Sequence, residues 1–281
     1  HLMPSLICLL RAVVFAAALV PADSTAATAA AASSATTVLV TGATGRTGTH
    51  TYLKFKDLGY DVRGLVRNVT KARERLGCHK CDSSEGIFVG DVTVPSSLEE
   101  AFSGGVDYVV ILTSSSPIQL PNGTWTFPNG SYPVDIDYKG SINQVRQAMD
   151  HHVTQVILVS SFGTTIPPDP NSPMSTGHVL FYKLNAEASL MGSGVEFTVV
   201  KAAGLVDSPG GRHLLVAGQG DSCMHKGMFT VAREDLADVC VHAVVDSNLT
   251  QGLRFDLASN PLKPATSDFK ALFLSAQENR I

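Results

Sequence analysis

The chain has 281 residues, 44% of them hydrophobic and 16% charged, with a formal net charge of −4 and a pI near 6.1. That composition excludes wholesale disorder, and the mild acidity gives no electrostatic footprint for nucleic acid or an anionic membrane. Five cysteines over this length are too few for a disulfide scaffold.

Residues 6–20 form an apolar run, LICLLRAVVFAAALV, interrupted only by Arg11. The run is shorter than the roughly 20 residues that a spanning helix needs, and it ends in small residues at Val20-Pro21-Ala22. It reads as a secretory-type signal, with an uncleaved anchor as the competing reading. The Ala-, Ser- and Thr-rich segment that follows is aperiodic, either a disordered tether or the second half of a bipartite organelle leader. The expected division is a leader and tether over 1–35 and a folded domain over 36–281, with no stable membrane insertion once the leader is removed. Sequons stand at Asn68, Asn122, Asn129 and Asn248. A glycan on Asn68 would crowd a position assigned below to the cofactor. That favours a plastid reached through the secretory path over a secreted or endomembrane-lumen protein.

Val38-Leu39-Val40 reads as a short buried strand, followed by the turn Thr41-Gly42-Ala43-Thr44-Gly45-Arg46-Thr47-Gly48. A helix follows, with Tyr52, Phe55 and Leu58 on one face and Gly59 closing it, then a β-branched strand over 61–66. In this strand–turn–helix–strand context the three glycines have separate tasks. Gly42 permits the tight turn, Gly45 lets the backbone approach a pyrophosphate, and Gly48 lets the helix pack close to the strand. The helix N-terminus, with Thr44 and Thr47 in the same turn, offers unpaired N–H groups to the anion. The second strand ends in Leu65-Val66-Arg67, without the acid that would accept from a ribose 2′-OH. Arg67 and Arg46 therefore predict a 2′-phosphate, hence NADP as cofactor.

Strand signals recur at 87–89, 108–112, 156–159, 197–200 and 255–257, and helix signals at 136–149, 179–191 and 233–245. Ser96-Ser97-Leu98-Glu99 has the form of a capping box opening a short helix. Repeated βα units predict a single α/β domain, a doubly wound parallel sheet with both faces covered. Residues 114–133, rich in Ser, Pro, Asn and Gly, break the rhythm and read either as a substrate-side lid or as a surface loop. Cys78-His79-Lys80-Cys81 lacks the second ligand pair of a zinc site, and no metal site is expected; the two thiols form either a reversible disulfide or a plain surface pair. Arg233, Glu234 and Asp235 open a helix, where acids are favoured.

Together these residues resemble the short-chain dehydrogenase/reductase superfamily, and more narrowly its atypical subgroup five of plant and algal NAD(P)-binding proteins, of NmrA-like, Rossmann type. The resemblance runs from residue 37 to the C-terminus. It is carried by TGATGRTG at 41–48, LVR at 65–67, GDVT at 90–93, VDIDYKGSINQV at 134–145, VILVSSFG at 156–163, YKLNAE at 182–187, KAAGLVD at 201–207 and DFKALF at 268–273. It implies that Asp91 accepts from the adenine amino group, that Val92 covers the ring, and that Thr113 lies by the adenine-side ribose. It places Ser160 and Ser161 beneath the nicotinamide, with Ser161 as the polarising group, Lys183 on the nicotinamide ribose, and Ala203 and Gly204 beside the nicotinamide amide. The superfamily's Tyr-x-x-x-Lys is broken, because Val179 stands four residues before Lys183. Tyr182 is adjacent to Lys183 and points about 100° away on a helix. Two functions remain open: an NADP(H)-dependent oxidoreductase acting on a small carbonyl, quinone or conjugated substrate, and a non-catalytic NADP(H)-binding redox sensor or assembly factor.

Overall fold

The computed structural model describes residues 36–166 and 173–278; the leader expected over 1–35 lies outside them. The chain opens with β1 (Thr37–Thr41), α1 (Arg46–Asp57), β2 (Asp61–Val66), α2 (Val69–Leu76), β3 (Ile87–Val89), α3 (Glu99–Phe102) and β4 (Tyr108–Ile111). A small hairpin, β5 (Ile118–Gln119) and β6 (Trp125–Thr126), leads into a π-type helix, Val134–Gly140, continuous with α4 (Ser141–Asp150). Then come β7 (Gln155–Ser161), α5 (Val179–Met191), β8 (Glu196–Ala202), β9 (Gly204–Val206) and β10 (Leu214–Gly218). The last elements are α6 (Ser222–His225), β11 (Thr230–Ala232), α7 (Arg233–Val245), α8 (Ser247–Thr250), β12 (Leu253–Asn260) and α9 (Phe269–Glu278).

Eight strands make the main sheet in the order β10-β12-β8-β7-β4-β1-β2-β3. All neighbours are parallel except β10 on β12. The sheet is the doubly wound, Rossmann-type one expected from the alternating signals, with one antiparallel edge strand that the sequence pattern did not announce. β1 is buried along its whole length because helices cover both faces. Val38 and Val40 pack into one core with Tyr52 and Phe55 of α1 and Leu236 and Cys240 of α7. Leu39, pointing the other way, joins Phe102, Val145 and Leu190 of α3, α4 and α5. The sheet order reverses beside β1, whose neighbours are β2 and β4. That switch point is where ligands bind in open α/β sheets.

Three local readings change. The helix expected over 136–149 begins earlier and changes character. Its first part is π-type, and Gly140 lies so near Val92 that a Cβ there would stand 2.8 Å from the Val92 Cγ2. Ser97 is not part of a capping box. Its hydroxyl takes the Asp91 N–H at 2.9 Å and donates to the Val94 carbonyl at 2.7 Å, so it ties the end of β3 to the following turn, and α3 starts with no side-chain cap. Asn68 is the N-cap of α2, an element that the sequence pattern left unassigned, and its side chain accepts from the Lys71 N–H at 2.9 Å.

Candidate functional site

The glycine turn is compact because its side chains are missing. Gly42 has φ +67°, and an added Cβ would lie 3.2 Å from the backbone of Leu112 and Thr113. At Gly48 a Cβ would meet the Gly42 carbonyl oxygen at 2.1 Å, so this residue sets the separation of α1 from β1. A Cβ on Gly45 would stand 3.0 Å from the same oxygen, which accepts the Gly45 N–H at 2.8 Å. Gly45 caps α1 without a side-chain hydrogen bond, and no acid lies in the first turn. The N-terminal amides and the positive end of the helix dipole thus face the groove unneutralised, as a diphosphate requires.

Two hollows meet at this turn, sharing Gly45, Leu112, Ser114 and Ser116. The first has a volume of about 600 Å³ and is lined by Gly42, Thr44, Val66, Arg67, Asn68, Lys71, Gly90, Val92, Thr113 and Ile136. Arg67 lies 3.9 Å from the Asp91 carboxylate, whose other oxygen accepts from the Thr93 N–H and hydroxyl. Val92 is buried, and its carbonyl accepts from Asn143 at 2.9 Å. The Thr113 hydroxyl accepts from Gln144 at 3.1 Å. Lys71 is a second cation of this hollow. It was not singled out because α2 itself was not.

The second hollow has a volume of about 590 Å³ and gathers Arg46, Thr47, Gly48, Val159, Ser160, Ser161, Phe162, Val179, Lys183, Ala203, Gly204, Met224, Phe229 and Arg233, among others. Lys183 reaches it from α5, and its Nζ lies 2.9 Å from Oδ1 of the fully buried Asp137. That carboxylate also accepts from the Ser114 hydroxyl at 2.8 Å, the Ser115 N–H at 3.1 Å and the Ser115 hydroxyl. The π-type helix thus carries the group that aims Lys183 and holds the loop after β4. Ser160 and Ser161 diverge at the end of β7. The Ser160 hydroxyl donates to the buried Glu187, which Arg254 also binds, at 2.7 and 2.8 Å. The Ser161 hydroxyl has no hydrogen-bond partner among the described residues and lines the hollow. Val179 is buried in the wall, where it has no proton to give. The Tyr182 ring instead stacks on Tyr138, 6.1 Å between centroids, and meets Phe181 edge-on.

Arg67 and Arg46 are not brought together. Arg46 sits in the second hollow, 2.7 Å from Asp207, and the same carboxylate takes Arg233 at 2.7 Å through its other oxygen. Burial and the nearby Arg46 charge pull the Arg233 pKa below its ordinary value, against the pull of Asp207. Glu234 and Asp235 are structural, accepting the N–H groups of Gly210 and Gly211 at 2.7 and 2.6 Å. In the segment 114–133 only the base belongs to the site, since Ser114, Ser115, Ser116 and Pro117 line the second hollow. Phe127 is buried and anchors the hairpin against Gly177.

Behind the second hollow lies a fully buried ionic group. Lys201 is 3.0 Å from Asp221 and 3.2 Å from Asp256. Asp221 also takes the Gly163 N–H at 2.8 Å and the Thr165 N–H at 3.2 Å, fixing the turn that follows Phe162. Burial pushes the Asp221 carboxyl up, but the bonds from Thr165 and Gly163 and the Lys201 charge outweigh it, and its pKa lies below the ordinary value. Burial dominates at Asp256 and raises it. Burial pushes the Cys223 thiol up to about 11.

A family model described as NAD(P)H-binding matches residues 42–247. An uncharacterized chloroplastic protein of Arabidopsis thaliana is 36% identical over 247 residues, covering 84% of this chain and 74% of the relative. The sanguinarine reductase of Eschscholzia californica is 33% identical over 264 residues, covering 84% of this chain and 94% of the relative. Among solved structures, the anaerobillin reductase ChuY of Escherichia coli O157:H7 superposes with a TM-score of 0.63 at 21% identity, covering 82% of this chain and all of that one.

Proposed function

From the premise that the chain belongs to the NAD(P)H-binding family of atypical short-chain dehydrogenase/reductases, we propose that it is an NADPH-dependent reductase of a small carbonyl, quinone or conjugated acceptor. One observation carries the reading. Two hollows of matched size meet at an uncapped helix N-terminus; one holds Arg67 and Lys71, the other a free serine hydroxyl beside an oriented lysine.

The residues present fit the cofactor. Gly45 and Gly42 leave the backbone bare where a diphosphate passes, and the α1 amides are free to bind it. Arg67 and Lys71 offer charge for a 2′-phosphate, which supports NADP rather than NAD as the cofactor of this reading. The bound nicotinamide would supply the hydride. Lys183, held by Asp137, would hydrogen-bond the ribose hydroxyls. The Ser161 hydroxyl donates to the acceptor oxygen as negative charge grows on it. Phe162 and Val179, both buried, give that half of the groove an apolar wall. With valine in place of the superfamily tyrosine, the proton comes from water or from the acceptor itself.

The test is NADPH oxidation against a carbonyl and quinone panel. Ser161→Ala is expected to lower kcat by about 10²–10³ with NADPH affinity kept. Val179 also favours a second reading, an NADP(H)-binding sensor or assembly factor; binding of NADPH with no turnover across the panel would establish it. The chloroplastic designation of the Arabidopsis relative supports a plastid destination for this chain as well. Mass spectrometry of the native N-terminus tests whether residues 6–20 are removed on the way.

A further inference from the structure

We propose that Cys78 and Cys81 form a reversible thiol switch that sets the affinity of the first hollow for the 2′-phosphorylated end of its ligand. The inference rests on the reading above that this hollow takes NADPH.

The two cysteines are joined by a disulfide in the loop just beyond α2, after the left-handed cap at Gly77. The small cross-linked loop holds two things in place. Cys81 is held at φ +56°, a backbone conformation that residues with a Cβ rarely adopt. The His79 carbonyl is turned toward α2, where Arg73 grips it through Nε at 3.3 Å and Nη2 at 3.2 Å. Glu85 closes the loop from the other side, with one carboxylate oxygen accepting the His79 N–H at 2.9 Å and the Cys81 N–H at 2.8 Å.

α2 connects this loop to the cofactor groove. Arg75 on its last turn donates to the Thr44 carbonyl of the glycine turn at 3.2 Å, and its first turn presents Asn68 and Lys71 to the first hollow. A helix of two turns is marginal by itself; Ala72 and Leu76 bury its inner face in the core, and the placement of its exposed side chains depends on what holds its ends. The disulfide loop is one of those holds, through Arg73.

Opening the bond needs a dithiol reductant. Its thiolate attacks Sγ of the half-buried Cys78; the sulfur–sulfur bond breaks, and its electron pair leaves on Cys81, which takes a proton. The reductant's second thiolate then displaces Cys78, which is protonated in turn. Two cysteine thiols and one oxidised reductant result. Cys81 is then free to leave its positive φ, the His79 carbonyl moves off Arg73, and α2 loses one of its C-terminal holds, which loosens the placement of Lys71 and Asn68 while Leu76 stays in the core.

The test is a fluorescence titration of NADPH, in EDTA, on the full chain before and after reduction by dithiothreitol, with thiol counting to verify the state. Reduction is expected to weaken NADPH binding about three- to tenfold, the worth of one or two exposed hydrogen bonds, and reoxidation to restore it. Cys78→Ser should bind at the weaker level whatever the redox state. Arg73→Gln, an exposed change that leaves the disulfide able to form, should bind at the weaker level and no longer respond to reduction. Equal NADPH affinity in the oxidised and reduced proteins would overturn the switch and leave the cofactor reading standing. No NADPH binding in either state would overturn both. Cys78, Cys81 and Glu85 also lie close enough together for one cation, so a second titration adds Zn²⁺ to the reduced protein without EDTA. If affinity falls only when zinc is added, the loop is a metal site and the switch is overturned.

Discussion

Replacing Gly48 by alanine separates what the glycine turn does for folding from what it does for binding. The new Cβ would be built 2.1 Å from the Gly42 oxygen, 2.9 Å from the Gly42 carbonyl carbon and 3.1 Å from the Ala43 Cα. All three are backbone atoms, so no side chain can rotate away. Relief requires α1 to move off β1 by on the order of 1 Å, against a core in which Tyr52 and Phe55 are fully buried. Overpacking of this kind costs about 1–3 kcal/mol and sometimes more. The upper end is expected here, because the clash lies between two rigid elements. Gly45→Ala differs: its Cβ would lie 3.0 Å from a single oxygen, so stability should fall by about 1 kcal/mol or less, while the methyl stands where a diphosphate must pass. Urea unfolding and NADPH titration of both variants check this. Gly48→Ala should lose stability most, and Gly45→Ala should lose binding with stability largely kept. A Gly48→Ala protein as stable as wild type would refute the steric reasoning.

Arg67→Ala should weaken NADPH binding by about 1.5–3 kcal/mol, one to two decades, and leave NADH binding nearly unchanged in parallel titrations. Lys201→Met leaves Asp221 and Asp256 buried without their cation, and should cost about 3–5 kcal/mol in urea unfolding at neutral pH. Because the Asp221 pKa is lowered in the folded protein, its stabilisation is present above the ordinary carboxylate pKa and lost as pH falls through the folded value. Asp221→Asn should therefore be destabilising at pH 7 and progressively less so in acid, as measured by stability against pH. Tyr182→Phe should leave turnover near wild type, since the ring packs on Tyr138 and Phe181. Lys183→Ala should lower both turnover and NADPH affinity in steady-state kinetics.

Much of the cofactor half was readable from the chain because its parts are local. The glycines at 42, 45 and 48 act within one strand–turn–helix unit, and Arg67 ends the next strand, so spacing along the chain fixes spacing in space. β1, β2, β4, β7 and β8 were legible for a related reason: a strand covered on both faces is a short apolar run whatever its neighbours. α2 escaped because VTKARERL carries few apolar residues; Ala72 and Leu76 alone bury its inner face, and the cap at Asn68 and the disulfide loop hold its ends.

The second hollow depends on where the sheet order brings distant segments. Asp137 meets Lys183 because the π-type helix after β4 lies alongside α5, and a continuous apolar period over 136–149 does not reveal the change of helix type. Arg46 and Asp207 are 161 residues apart in sequence, and spacing along the chain gives no sign of their ion pair. Lys201, Asp221 and Asp256 are far apart in sequence, and only the crossing of β8, β12 and the turn before α6 makes them one buried group. The sequence by itself determined the doubly wound sheet and the glycine turn, because those rest on period and on side chains that must be absent. The tertiary structure alone decided which charges face the second hollow, because Coulomb energy follows distance through space and carries no signature along the chain.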